Sequence, residues 1–293
     1  MPDMPGRTYL NKTKRDNPDK FEEEKIMLKE SSVKSAQGTK MFHNTIVKRP
    51  GATYVNGLTT SDLGTPILEK ALEQHDAYIE ALKTCGTEVT VLPSNDQFPD
   101  STFVEDTAVL TPEFAVISNP GADTRNGEIH EMEPAIKSFY DKIYYIKAPG
   151  TLDGGDILQI EDHFYIGISA RTNQEGAEQL QQILESENYK ATIVPLQKFF
   201  HLKTGIAYLG NQTIVVAGEF VDHPDFNSFQ KIVVPPEEEY AANCIRVNDY
   251  VIIPSGYPQT KQKLNEAGYQ TIELDTSEFR KLDGGLSCLS LRF

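Results

Sequence analysis

The sequence is short of cysteine, of long apolar runs and of basic residues, and each shortage excludes a class of protein. Three cysteines, Cys85, Cys244 and Cys288, are too few and too widely spaced for a disulfide scaffold or a four-cysteine zinc module. No apolar run approaches the ~18 residues that a membrane span needs, and no signal-peptide pattern opens the chain. We therefore expect a cytoplasmic protein with reduced thiols and no membrane partner.

Basic side chains are outnumbered, since 28 Lys and Arg against 43 Asp and Glu give a formal net charge of −15 over 293 residues. A surface of this charge repels phosphate backbones, so we expect no nucleic-acid partner. The sequence also contains no GxxxxGK[ST], GxGxxG, HExxH or CxxC motif. The prediction is therefore that the protein uses no cofactor and no bound metal.

Residues 1–40 differ in composition from the rest of the chain. Lys, Glu, Asp and Ser dominate there, and the few apolar residues are too scattered to offset the entropy lost on ordering. The composition predicts a charged, flexible N-terminal extension over 1–40, followed by a single domain over 41–293.

From residue 41 onward the hydrophobic pattern repeats about every 40–50 residues as strand, strand, helix and strand. Four units carry their hairpin in sequence, at 103–118, 152–169, 201–218 and 244–254. The fifth combines a C-terminal strand, 286–293, with the first strand, 44–48. Pairing the two chain ends satisfies both terminal strand edges, as in propellers. The predicted fold is an α/β propeller of five ββαβ blades around a pseudo-fivefold axis, closed by the last strand beside the first. The alternative is a doubly wound sheet with an accidental period.

Reactive side chains recur at one position of these repeats. The first strand of each predicted hairpin begins near Glu105, Asp153, His201, Asn243 or Cys288, at separations of 48, 48, 42 and 45 residues. Equivalent positions in pseudo-symmetric blades lie at the same radius, so we expect these side chains to meet at one mouth of the ring. A thiol, an imidazole and carboxylates are the parts of a nucleophilic enzyme.

Each reactive residue also has a purely structural interpretation. A cysteine at a strand start is more often a small core residue, and Asp-Gly is ordinarily a turn. Chemistry is favoured because Asp-Gly-Gly occurs twice, at 153–155 and 283–285, and Cys288 follows the second copy. Cys85 instead lies on the apolar stripe of a helix, and Cys244 has no flanking glycines.

Further charged residues flank the hairpins. Asp100, Glu105 and Asp106 fall within FPDSTFVED, and such a group suits a planar cation held by charge-assisted hydrogen bonds. Arg125 and Arg171 each follow a hairpin, where a guanidinium either is solvated or clamps a carboxylate.

At this point the sequence resembles a known family, the bacterial-type dimethylarginine dimethylaminohydrolases. The resemblance covers about residues 41–293 and is carried by FPDSTFVEDTAVL, LDGGDIL, HFYIGISARTNQEGA, HLKTGIAYL, YAANCI and KLDGGLSCLSLRF. This family belongs to the guanidine-modifying enzymes with the pentein fold, a five-bladed α/β propeller. The resemblance implies hydrolysis of Nω-methylated L-arginines to L-citrulline and dimethylamine or methylamine, through a Cys thiolate and a covalent S-alkylthiouronium intermediate.

The resemblance also implies roles, residue by residue. Cys288 matches the nucleophile, His201 the general acid and base, and Asp153 the third catalytic position. The substrate-binding positions are Asp100, Glu105 and Asp106 around the guanidinium, Arg125 and Arg171 on the amino acid's carboxylate, and Leu58, Leu282 and Ser287 in the pocket. The partner is then a small molecule, a methylated arginine. Exposed blade edges in this fold commonly support homodimers, which leaves the oligomeric state open.

Three other functions compete with this interpretation. An arginine deiminase uses the same chemistry in a different pocket. A non-catalytic ribosome-binding factor shares the fold but has no need of a Cys, a His and a carboxylate at matching repeat positions. A metal-dependent ureohydrolase is disfavoured by the missing cluster of Asp and His ligands.

Overall fold

Five three-stranded sheets organise residues 41–293, the part of the chain that the computed structural model describes. The predicted extension 1–40 lies outside the described residues. The strands are β1 (Asn44–Lys48), β2 (Glu88–Leu92), β3 (Ala108–Leu110), β4 (Ala115–Ile117), β5 (Ile143–Tyr145), β6 (Ile157–Ile160), β7 (His163–Ile168), β8 (Lys190–Pro195), β9 (Ile206–Gly210), β10 (Thr213–Val216), β11 (Gln230–Val233), β12 (Ile245–Val247), β13 (Tyr250–Pro254), β14 (Gln270–Leu274) and β15 (Leu291–Arg292).

Every sheet has the same internal order. Its middle strand pairs antiparallel with the first strand and parallel with the third. Four sheets use consecutive strands, β3 to β5, β6 to β8, β9 to β11 and β12 to β14. The fifth has the order β15-β1-β2, with Thr45 opposite Arg292 and Ile46 opposite Leu291. The predicted pairing of the last strand with the first is therefore present.

Helices supply the crossovers that parallel pairing requires. The α-helices of the described residues are α1 (Leu68–Thr84), α2 (Ile129–Lys137), α3 (Gln174–Ser186), α4 (Leu202–Gly205), α5 (Pro258–Glu266) and α6 (Ser277–Arg280). Four of the five crossovers contain an α-helix, α1, α2, α3 or α5. The crossover from β10 to β11 has only two short helical turns, Gly218–Phe220 and Pro224–Phe226.

Apolar side chains at helical spacing face the sheets. In α1, Ala71, Tyr78 and Leu82 are all inaccessible and pack with Val47 of β1 in one core cluster. The helix is followed by Gly86, whose φ of 87° lies in the left-handed region that stops helices. Within the described residues, no helix combines the length and apolarity that crossing a bilayer would need.

The hairpins are shorter than predicted because a single helical turn precedes the first strand. The first strands were predicted to begin near Glu105, Asp153, His201 and Cys288, and they begin three to five residues later, because each of these residues lies in or directly before such a turn. One turn is too short to show a helical period in the sequence. These turns are Val104–Thr107, Gly154–Asp156, α4 and Ser287–Leu289, and the predicted strand 286–293 shrinks to the two residues of β15.

The turns of neighbouring sheets contact one another. Four neighbouring contacts link Ser287–Leu289, Val104–Thr107, Gly154–Asp156, α4 and Pro236–Ala242, in that order. The fifth link is a hydrogen bond from the backbone N–H of Ser287 to Oδ1 of Asn243, at 2.9 Å. The five repeat positions therefore lie next to one another although they are 42 to 48 residues apart in sequence.

Candidate active site

His201 precedes helix α4, and Asp153 holds its ring. Nε2 of His201 donates to Oδ2 of Asp153 over 3.2 Å, and Oδ1 of Asp153 accepts from the backbone N–H of Gly121 at 2.8 Å. Both side chains are buried. A Cβ on Gly155 would lie 2.6 Å from Nδ1 of His201, so this position needs glycine for the turn to approach the ring. The structure thus brings the predicted histidine and carboxylate together.

The imidazole is surrounded by negative charge. Burial alone favours the neutral form and lowers its pKa, but the carboxylates of Asp156, Asp106 and Asp153 outweigh burial and raise the pKa of His201 to about 9. The ring is therefore protonated at neutral pH and can act as an acid.

Asp106 joins this cluster through a buried ion pair. It accepts from Nη1 of Arg125 at 2.6 Å and from the backbone N–H of Gly155 at 2.9 Å. Burial favours the protonated carboxyl, but Arg125 and His201 hold the pKa of Asp106 below its ordinary value. Asp106 is thus ionised beside the imidazolium.

Arg125 is buried instead of open to a ligand. Its three nitrogens donate to Glu128, Asp106 and the carbonyl of Phe103. The guanidinium that the resemblance assigned to a substrate carboxylate is therefore bonded to other residues of the protein. Its predicted role stays a prediction.

Cys288 lies in the turn Ser287–Leu289 and is the most accessible of the three cysteines, all of which are unpaired. Its Sγ accepts from the N–H of Gly285 at 3.4 Å. Burial, together with the carboxylates of Glu105 and Asp106, raises the pKa of this thiol to about 12. The thiol is therefore neutral at neutral pH, with the carboxylates of Glu105 and Asp106 near it.

Glu105 is 3% exposed, and one of its oxygens has no partner. Oε1 accepts from Nζ of Lys203 at 2.7 Å and from Arg292 at 3.4 Å. Oε2 is buried without a hydrogen bond from any of residues 41–293. Leaving a buried acceptor unsatisfied costs free energy, so Oε2 marks a place where a ligand's N–H can bind.

A cavity of about 870 Å³ is lined by residues of the first strands of all five sheets. Glu105, Lys203 and Ser287 also belong to its lining. Asp153, His201 and Cys288 are not part of its lining. The cavity therefore is not the place where the reactive groups meet.

The segment 57–61 lies against Asp100, one of the predicted guanidinium ligands. Oδ1 of Asp100 accepts from the backbone N–H of Leu58 at 2.9 Å, and burial raises the pKa of Asp100. A Cβ on Gly57 would lie 2.8 Å from both Asp100 and Leu282. The predicted pocket residues Leu58, Leu282 and Asp100 are therefore neighbours, with Leu58 on the exposed side.

Arg171 offers the open guanidinium that Arg125 does not. It lies over the ring of Phe200 at 5.2 Å, and Phe200 packs on the imidazole of His201. Its guanidinium makes no hydrogen bond or ion pair with the described residues. Of the two predicted arginines, Arg171 is thus the one free to bind an anion beside His201.

One group of possible metal ligands occurs among residues 41–293, and it is this same cluster. Ligand atoms of Asp106, Asp153 and His201 all lie within 4.8 Å of one another. Asp106 already pairs with Arg125, and the imidazolium donates to Asp153. We interpret the group as a hydrogen-bonded acid–base cluster, because its charges are balanced by protein cations.

Four residues of the cluster were missed by the sequence reasoning. Asp156 completes the LDGGD motif and is inaccessible, and Lys203 follows His201 by two residues. Glu128 forms an ion pair with Arg125, and Arg292 forms one with Glu105. The motif carried a signal for Asp156, whereas the other three are partners that only the folded chain identifies.

Comparison with known proteins identifies the family of this chain. The family model described as "N,N dimethylarginine dimethylhydrolase, eukaryotic" matches residues 60–286. A dimethylarginine dimethylaminohydrolase of Pseudomonas aeruginosa is 52% identical over 86% of this chain and all of its own. The chain belongs to the dimethylarginine dimethylaminohydrolase family. A Streptomyces coelicolor member is 34% identical over 84% of this chain and 95% of its own.

Solved structures agree with the assignment to the dimethylarginine dimethylaminohydrolases. A cysteine-to-serine mutant from Pseudomonas aeruginosa, complexed with citrulline, has a TM-score of 0.86 at 52% identity, covering 86% of this chain and all of the other. The N-terminal domain of ArgZ, a cyanobacterial arginine dihydrolase bound to product, has a TM-score of 0.77 at 20% identity, over 85% and 96% of the two chains. The second likeness concerns the fold alone.

Proposed function

We propose that this chain hydrolyses asymmetric dimethylarginine and monomethylarginine to L-citrulline and dimethylamine or methylamine. The observation that carries the proposal is the buried Oε2 of Glu105, which has no partner among residues 41–293, in an acidic group that raises the pKa of the Cys288 thiol and, through Asp106, that of the His201 imidazole. Such a group suits a planar cation. Family membership and the citrulline complex of a 52% identical member support the same substrate class.

Binding of the cation prepares the nucleophile. Glu105, Asp106 and Asp100 hold the guanidinium, and Arg171 holds the carboxylate, with Arg125 as the second predicted carboxylate ligand. The pocket is completed by Leu58, Leu282 and Ser287. Because the bound cation offsets the carboxylates that raise the pKa of Cys288, the thiol loses its proton in the complex.

The reaction then proceeds in two halves. The thiolate of Cys288 attacks the guanidinium carbon, and the imidazolium of His201 gives its proton to the leaving dimethylamine or methylamine. An S-alkylthiouronium intermediate remains. Neutral His201, oriented by Asp153, takes a proton from water, and the hydroxide adds to the thiouronium carbon. The C–S bond then breaks, the hydroxyl proton passes to the thiolate of Cys288, and citrulline is released with the thiol and the imidazolium restored. Overall, the substrate cation and one water become citrulline and a protonated amine, whose extra proton is the one that the thiol gave up on binding, and no step passes through a metal.

We also propose that the five sheets form a pentein propeller, with residues 41–293 as one catalytic domain. The contacts among the five helical turns and the β15–β1 pair support a closed ring. Three unpaired thiols suit the cytoplasm. Among residues 41–293, the third strand of each sheet is an edge strand, and we propose a homodimer through such an edge.

The test compares citrulline release from asymmetric dimethylarginine, monomethylarginine and arginine by wild type and Cys288→Ser. Dimethylamine is quantified in parallel, with a chelator present. We expect equal amounts of citrulline and dimethylamine from wild type, resistance to the chelator and none from the variant. Turnover of arginine alone would indicate a deiminase. A folded wild type inactive on all three substrates would refute the hydrolase.

A further inference from the structure

Asp156, the last residue of the Gly154–Asp156 turn, is completely buried, and both of its oxygens are bonded. Oδ1 accepts from the backbone N–H of Leu202 at 3.0 Å. Oδ2 accepts from the hydroxyl of Ser169 at 2.6 Å. A carboxylate without solvent contact is costly unless its interactions are specific, so its position beside His201 calls for an explanation.

One short turn holds His201 at two points. Asp153, just before the turn, binds the imidazole at Nε2, and Asp156, at its end, binds the backbone of the next residue, Leu202. Gly155 lies between them, directly against the ring. The short segment 153–156 therefore holds both the imidazole of His201 and the backbone next to it.

No Lys or Arg among residues 41–293 lies within ion-pair distance of Asp156, unlike Asp106, which pairs with Arg125 at 2.6 Å. Lys203 of helix α4 is paired with Glu105. The hydrogen-bond partners of Asp156 are neutral donors, namely the Leu202 amide and the hydroxyls of Ser169 and Thr172. His201 is thus the cation that its charge stabilises.

The hydroxyl of Ser169 extends this arrangement towards the proposed carboxylate site. Besides donating to Asp156, Ser169 Oγ accepts from the backbone N–H groups of Arg171 and Thr172, at 3.0 and 3.2 Å. Asp156 therefore anchors the turn of Arg171 as well as the start of helix α4.

We propose that Asp156 is a positioning residue for His201, which fixes the backbone beside the imidazole and supplies the negative charge that keeps it protonated. The catalytic part of this inference rests on the proposed role of His201 as acid and base. Asp156 touches neither substrate nor reacting atoms; it acts through His201. Burial is the largest influence on Asp156 and raises its pKa to about 6, although His201 and the hydrogen bonds from Ser169, Thr172 and Leu202 act to lower it. The carboxylate is therefore ionised at neutral pH.

The direct test follows the imidazole of His201 by NMR as pH is raised, in wild type and Asp156→Asn. The Asn side chain keeps an oxygen for Leu202 but removes the charge. We expect the titration midpoint of His201 to fall by at least one pH unit, a tenfold loss of proton affinity. An unchanged midpoint in a folded variant overturns the proposal. The signal is assigned by its loss in His201→Gln.

Glu238→Gln is the matched control. Glu238 is buried and accepts from the backbone N–H groups of Gln259 and Thr260 and from the Thr260 hydroxyl, but it does not contribute to the pKa of His201. We expect no shift of the His201 midpoint in this variant. A shift equal to that of Asp156→Asn would assign the effect to general loosening and would overturn the proposal.

Two further measurements separate this inference from the proposed function. In wild type, the His201 signal should move a second time near pH 6, where Asp156 takes up its proton, and this holds whether or not the variant folds. In turnover assays, Asp156→Asn should shift the alkaline limb of kcat to lower pH, with KM changed less than threefold. An inactive wild type that still shows the NMR shifts would refute the function alone, whereas a missing second inflection would count against Asp156.

Discussion

The ammonium group of Lys203 lies 2.7 Å from Oε1 of Glu105, whereas Oε2 of the same carboxylate is buried without a hydrogen bond from any of residues 41–293. The ion pair holds the carboxylate in place, so Oε2 is a fixed acceptor. Preorganised acceptors of this kind favour a cationic ligand because no reorganisation is needed on binding. The arrangement leads to two separate predictions for Glu105.

Glu105→Gln should weaken substrate binding. Charge-assisted hydrogen bonds contribute about 1.5–3 kcal/mol, which corresponds to roughly a 10- to 100-fold rise in KM for asymmetric dimethylarginine. Glu278→Gln is the control, since Glu278 is also 3% exposed and pairs with a lysine, Lys281, at 2.8 Å. Steady-state kinetics of both variants decide the matter. Equal KM values for wild type and Glu105→Gln would remove Glu105 from the guanidinium site.

Glu105→Gln, which should weaken substrate binding, should speed the alkylation of Cys288 by iodoacetamide. In the free wild type, the pKa of about 12 predicts a rate that rises about tenfold per pH unit from 7 to 10. Glu105→Gln should react faster at each pH because one carboxylate that raises this pKa is gone. Mass spectrometry follows the modification, and Cys288→Ser reports any contribution of Cys85 and Cys244, both buried. A plateau below pH 9 would show a thiolate in the free protein, against this prediction.

Asp283 should hold the segment that carries Leu58. Its Oδ2 accepts from the backbone N–H of Thr60 and from the Thr60 hydroxyl, the latter at 3.0 Å, while its own φ of 58° suits glycine. Asp283→Gly keeps this backbone conformation and removes both hydrogen bonds. We expect KM to rise roughly three- to thirtyfold, on the basis of about 1 kcal/mol per bond, and the Thr60 amide to exchange faster.

Asp283→Asn is the control for that experiment, because the amide oxygen still accepts a hydrogen bond from Thr60. It should stay within a few-fold of wild type in KM and in amide exchange. Slow exchange of Thr60 in Asp283→Gly would show that other contacts hold the segment. Thr59 and Ser61, which donate to the carbonyl of Lys281, would then be the next candidates.

The repeat pattern predicted the architecture well where an element has clear ends. The sequence marks both ends of helix α5 (Pro258–Glu266), because Pro258 starts it and Gly268, at a φ of 90°, follows it. Strand β1 matches at both ends for a similar reason, its apolar run being bounded by polar residues. The strand predicted at 286–293 failed because the turn around Cys288 depends on contacts with the turns of other repeats, which no local pattern encodes.

In the candidate site, too, the sequence pattern predicted some features, whereas others depend on tertiary contacts. The spacing of Asp153, His201 and Cys288 was sufficient to place them at equivalent positions, since the repeats impose it. The burial of Arg125 was not predictable, because it follows from Glu128 one helical turn away and from Asp106 on another segment. Partners of charged groups are set by tertiary structure, and a sequence motif gives only the group itself.

His75 should make the fold sensitive to acid. The ring is inaccessible and packs near Phe279, and burial, with help from Arg49, lowers its pKa to about 4. An unfolded histidine titrates near 6.5, so between about pH 6.5 and 4 the unfolded chain binds a proton that the folded protein does not. Stability from this residue is therefore full above pH 6.5 and falls by about 3 kcal/mol as pH drops to 4.

His75→Phe removes the titration while keeping an aromatic ring. Urea unfolding of wild type and variant is measured at several pH values. The difference between the two free energies of unfolding isolates the contribution of His75 from those of other groups that titrate in this range, such as Glu128. That difference should change by about 3 kcal/mol between pH 7 and 4, to the advantage of the variant at low pH. A constant difference across this range would show that His75 is protonated as easily in the folded protein as in the unfolded chain.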